Sequence, residues 1–136
     1  MARRVCQIFG IGFLFLGIAG FFAPDALGAH LNVANNVVHL LTAAAALYFG
    51  FWATVDQAEV FSYIFGTLYG VLGVAGFMLG SPDGRILEVG PLMLGSVDHA
   101  IHVLAGSVFM AAAFLTDARF AAEHEHEYAH RRHRHP

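Results

Sequence analysis

Two short stretches of an apolar chain carry the side chains that could do chemistry. Asn35, Asn36, His39 and Thr42 lie on one, and Ser96, Asp98, His99 and His102 on the other. Spacings of three and four set the first group along one flank of a helix, and the same spacing joins Asp98 to His102. An aspartate in the middle of a membrane span costs about 2.5–3.5 kcal/mol on insertion scales, so Asp98 must face protein and find a donor. His102, one turn on, is the expected partner. A carboxylate bound to one imidazole nitrogen fixes the tautomer and leaves the other nitrogen for a neighbouring helix or a metal.

Three chemistries stay open for this cluster. The polar groups could bond across helices and organise a bundle. His39 and His102 could instead offer two axial nitrogens to a haem, or a transition metal could gather them with His30 or His99. The same groups could also line a path for a proton, an ion or a small solute. No catalytic set emerges from the sequence, and the chain reads as non-enzymatic.

A second group lies at the C-terminal end, where His124, His126, His130, His133 and His135 are five of the nine histidines. The stretch His126-Glu127-Tyr128-Ala129-His130 matches H-E-x-x-H, in which two histidines one turn apart bind zinc and the glutamate acts as base. Only six residues follow it, too few to supply a cleft and a third ligand. The expectation is a solvated tail, residues 117–136, with at most a weak metal site.

The elements that must position the cluster are membrane spans. Hydrophobic residues make up 57% of the 136-residue chain and charged residues 12%, against about 25% charged in soluble domains. A bilayer core of ~30 Å needs ~20 apolar helical residues. Four such runs occur, at about Val5–Ala23, Val33–Val55, Val60–Leu79 and Pro91–Leu115. They predict an all-α membrane domain over residues 1–116, a bundle of four transmembrane helices. The stretch Ser81-Pro82-Asp83-Gly84 reads as a turn between the last two. The first span could alternatively be a signal peptide, with Ala26-Leu27-Gly28 as its cleavage site.

An internal repeat argues that the first span is retained. Phe9–Ala23 laid on Phe65–Leu79 matches at Phe9, Gly10, Leu16, Gly17, Ala19, Gly20 and Phe21. Aligning His39 with His102 also superposes Asn35 on Asp98 and Asn36 on His99. The chain therefore reads as two similar helical hairpins, related by an axis along the membrane normal. Gly10, Gly17, Gly66, Gly70 and Gly73 offer small faces for close helix packing, while Tyr48, Trp52 and Tyr63 read as an interfacial aromatic belt.

All seven basic residues are arginine, and six of them, Arg3, Arg4, Arg119, Arg131, Arg132 and Arg134, fall on the side shared by the two termini. The positive-inside rule places that side in the cytoplasm, with Arg85 opposite, as in a multi-pass protein of the cell (inner) membrane. A net charge of −3 excludes the basic footprint of a nucleic-acid binder. Cys6 is the single cysteine, so no internal disulfide forms.

Asn36-x-x-His39-Leu40 and Asp98-His99-x-x-His102, set in a four-span chain, resemble the bacterial and archaeal membrane family catalogued as domain of unknown function 4383. The resemblance covers roughly Phe9 to Leu115. Family members tend to carry His-Asn-x-x-His on the second span and Asp-Asn-x-x-His on the fourth; here Asn35 replaces a histidine and His99 an asparagine. The resemblance implies a fold and a membrane location but no activity. The expected role is a small structural or accessory membrane protein, with a second copy or another membrane protein as its partner alongside the lipid.

Overall fold

The computed structural model describes the backbone of residues 1–24 and 31–134, and the side chains among them as far as Asp117. Four helices follow in order, α1 (Ala2–Ala19), α2 (Val33–Phe51), α3 (Val55–Leu79) and α4 (Ser96–Arg134). A two-stranded antiparallel hairpin, β1 (Leu87–Val89) and β2 (Leu92–Leu94), lies between α3 and α4. All four helices are long and apolar enough to cross a membrane, α4 over its Ser96–Asp117 part.

The side-chain distribution is that of a bundle dissolved in lipid. Alanine and glycine crowd the interior, with Ala2, Ala43, Ala46, Ala58, Ala105 and Ala113 nearly inaccessible. Large apolar residues such as Ile8, Phe15, Leu41, Leu68, Met78 and Phe114 point outward. Small faces let helices approach where lipid removes the hydrophobic drive between them.

The chain packs as two hairpins, α1 along α2 and α3 along α4. Their contacts correspond closely. A Cβ on Gly10 would fall 2.8 Å from Leu47 of α2, and one on Gly66 would fall 2.8 Å from Met110 of α4. Gly17 lies against Leu40 and Gly73 against Val103, while Gly20 lies against Asn36 and Gly76 against His99. Between the hairpins an aromatic core forms from Phe9, Phe13, Phe65, Tyr69 and Phe109, with ring centroids 4.1–6.1 Å apart.

Several boundaries differ from the sequence reading. The second span does not run to Val55, because Thr54 and Gln57 form a reciprocal capping box that opens α3 there, satisfying two otherwise orphaned N–H groups. Asp56 therefore sits in the first turn of α3 rather than in a loop. The fourth span does not begin at Pro91. Gly90, at φ +59°, turns the chain between β1 and β2, and the helix starts only at Ser96. At the other end α4 does not stop near Leu115 but continues helical to Arg134. Residues 118–134 contain alanine, glutamate and arginine but neither glycine nor proline, so nothing in their composition breaks a helix.

Candidate functional site

The polar cluster is assembled where the β-hairpin end of the bundle meets α2 and α4. Asn35, Asn36, Asp98, His99 and His102 are buried and His39 is half-buried. Four of these six residues have partners that fix the fold. Asn35 Nδ2 donates to Met93 O of β2 at 2.9 Å, tying α2 to the hairpin. Asn36 Nδ2 donates to Leu31 O at 3.2 Å, and its amide fills the space that Gly20 leaves.

Asp98 stands in the first turn of α4. Its Oδ2 accepts from the Gly95 N–H at 2.8 Å, so the carboxylate satisfies an orphan donor and sits at the positive end of the helix dipole. This corrects the sequence expectation of an aspartate in mid-span, which assumed a helix beginning at Pro91. His99 also turns to the loop. Its Nε2 lies 2.8 Å from Arg85 O, and since a carbonyl only accepts, the proton is on Nε2. Arg85 holds a left-handed φ of 54°, and its Nη1 donates to Phe77 O at 3.3 Å.

His39 and His102 are different. Each packs on an aromatic ring from its own hairpin: Phe13 stacks on His39 with centroids 5.8 Å apart, and Tyr69 meets His102 edge-on at 4.8 Å. Phe13 and Tyr69 are themselves 5.8 Å apart, so a continuous row of rings runs from His39 through Phe13 and Tyr69 to His102. Asp98 acts electrostatically on both imidazoles. The Nδ1 atoms of His39, His99 and His102 are all buried without a hydrogen-bond partner; among the described residues, only His99 of the three has its other nitrogen bonded, to Arg85 O. Beside them Thr42 Oγ1 lies 3.4 Å from Tyr69 OH, long for an O–H···O bond.

Chemically, the arrangement offers two imidazoles with open nitrogens, one nearby carboxylate and a phenol. Among the described residues no three His, Cys, Asp or Glu side chains are grouped so as to hold a metal ion. His99, the described candidate for such a group, is engaged with Arg85. His30 and the tail residues His124, His126, His130, His133 and His135 lie outside the described side chains, as does the Ala26-Leu27-Gly28 stretch.

The sequence reading missed Arg3. Its Nε donates to Gly50 O at 3.1 Å and its Nη2 to Phe51 O at 2.7 Å, joined by Gln7 Nε2 on Gly50 O at 2.8 Å. These bonds cap the C-terminal carbonyls of α2. Thr116 does the converse for α1, accepting from Ala2 N–H at 2.9 Å. Neither cap has a local spacing signal, because the partners are far apart in the chain. Comparison with protein-family models, with curated proteins and with solved structures finds no match for the chain.

Proposed function

We propose that this chain is a small non-enzymatic membrane protein, a structural or accessory subunit, in which the His/Asn/Asp cluster organises a four-helix bundle. The observation that carries this reading is the use made of Asn35, Asn36, Asp98 and His99. Each is spent on a backbone bond, and Asn36 and His99 also fill the spaces beside Gly20 and Gly76. Buried polar groups held by such bonds fix helix register, although Asn36 Oδ1 and His99 Nδ1 stay without a partner. The matching contacts of the two hairpins support an origin by duplication, and the paired Asn36/His39 and Asp98/His102 elements support membership of the family they resemble. The arginine distribution supports cytoplasmic termini in the cell (inner) membrane, with lipid and a second copy or another membrane protein as partners.

A second reading is favoured by His39 and His102, whose buried Nδ1 atoms have no partner and which, unlike His99, are not tied to a backbone carbonyl. It assigns this pair alone to a cofactor, an ion or a proton path. An absorption spectrum and metal analysis of detergent-purified protein, expressed with ample haem, separate the two readings. An empty spectrum, with stability lost on changing Asn36 or His99, supports the structural role. A Soret band or stoichiometric metal that disappears in His39→Ala and His102→Ala overturns it in favour of the second.

A further inference from the structure

The two hairpins leave two corresponding grooves, one between α1 and α4 and one between α3 and α2, and they differ in size and charge. The α2–α3 groove measures about 330 Å³. It is narrowed by Phe49 and Phe61, whose rings stack at 4.5 Å, and Asp56 lines its rim. The α1–α4 groove measures about 590 Å³ and is lined by Arg3, Arg4, Val5, Val108, Ala111 and Ala112 among others.

The difference follows from a few residues. Registering the hairpins by their glycine contacts sets Ala111 and Ala112 where the first hairpin has Tyr48 and Phe49. The same register sets Val5 where the second has Phe61, and Arg4 where it has Val60. Small side chains open the seam, and a guanidinium stands at its mouth. Arg4 is exposed, whereas Arg3 caps α2. Among the described residues no acidic side chain lines this groove.

The seam continues beyond the basic mouth. A further space of about 180 Å³ follows along the same two helices, lined by Gly12, Leu16, Ile101 and Leu104 among others. From Arg4 to Leu16 the helix rises about 18 Å, which matches the ~15 Å hydrocarbon depth of one leaflet, half of a ~30 Å core.

We propose that the α1–α4 seam binds one anionic glycerophospholipid, with its phosphate at Arg4 and one acyl chain laid along the seam towards Leu16 and Ile101. Charge complementarity selects the headgroup, since the corresponding groove carries Asp56 instead. The open floor at Ala111 and Ala112 admits the chain.

Native mass spectrometry of the full chain, released from nanodiscs of equal phosphatidylglycerol and phosphatidylcholine, tests this. The expected result is one retained phospholipid per chain, with phosphatidylglycerol favoured about fivefold, the scale of one cationic contact near the membrane surface. Arg4→Gln should bring that ratio close to one. Ala111→Phe, at an exposed position of the groove, should remove the retained lipid while the helical circular dichroism is unchanged. Equal retention of both lipids by the native chain overturns the proposal, and so does an undiminished preference in Arg4→Gln. A protein dimer retaining no lipid also overturns it, and assigns the seam to a second copy. If Ala111→Phe does not fold, the exposed Arg4→Gln variant decides the matter alone.

Discussion

The His99 imidazole occupies the space that Gly76 leaves on the facing helix: a Cβ at Gly76 would overlap the ring at Nδ1, while Nε2 stays bonded to Arg85 O. The ring is fully buried and cannot withdraw without abandoning that bond. Gly76→Ala should therefore destabilise the bundle by about 1–3 kcal/mol, the usual cost of overpacking. Gly12 provides the contrast, because a Cβ there meets nothing within 4 Å. Gly12→Ala should be neutral or stabilising by up to ~1 kcal/mol, from helix propensity. Denaturation midpoints of the two variants in one detergent check this, and equal losses would remove the packing argument.

Arg3 and Arg4 are adjacent and chemically identical, yet their roles separate. Arg3 holds the last carbonyls of α2 through two bonds of 3.1 and 2.7 Å. Hydrogen bonds to a charged donor contribute about 1.5–3 kcal/mol each when buried and less at an exposed rim. Arg3→Ala should cost about 1–2 kcal/mol and fray the end of α2, whereas Arg4→Ala should stay within about 0.5 kcal/mol. Hydrogen exchange at Gly50–Trp52 reads the difference directly, with faster exchange expected only in Arg3→Ala.

Asp98 gives a prediction about helix capping. Its Oδ2 accepts the Gly95 N–H at 2.8 Å. Asp98→Ala should cost about 1–2 kcal/mol, and Asp98→Asn, which keeps an acceptor but loses the charge at the dipole, about half of that. If Asp98 instead serves an ion path, Asp98→Asn should change pH-dependent flux in liposomes while stability hardly moves. Measuring both quantities on the same preparation distinguishes a cap from a carrier.

How far the sequence reaches can be judged residue by residue. The four spans and their pairing are legible, because length and hydropathy alone define a helix in lipid. The glycines at 10, 17, 66 and 73 announce close packing, and the structure supplies their partners across the bundle. The β-hairpin is hidden, since Leu92–Leu94 looks like the start of an apolar span and Leu87–Val89 like the loop before it; only Gly90-Pro91 marks the turn. A helix that began at Pro91 would carry Asp98 into mid-span, whereas the helix that begins at Ser96 sets it in the first turn. The structure buries Asn35, Asn36, Asp98, His99 and His102 and half-buries His39, but the division into Asn35, Asn36, Asp98 and His99 on one side and His39 with His102 on the other depends on tertiary partners. No spacing rule contains those.

The same division makes the last prediction opposite in sign for neighbouring histidines. His102 buries an Nδ1 with no partner against the edge of Tyr69, and His39 buries its own beneath Phe13. Leaving a buried polar atom unpaired costs about 1–3 kcal/mol, and replacing it with an apolar group of similar shape recovers part of that cost. His102→Leu and His39→Phe should therefore leave the denaturation midpoint unchanged or raise it, by up to about 1 kcal/mol. His99→Leu also removes an unpartnered Nδ1, but it strands Arg85 O and should lower stability by about 1–3 kcal/mol. A loss in all three would mean that His39 and His102 are structural as well. Stability gained at His39 and His102 alone would mark a pair whose presence the fold does not reward, and their open nitrogens would then be the place to look for whatever the protein binds or moves.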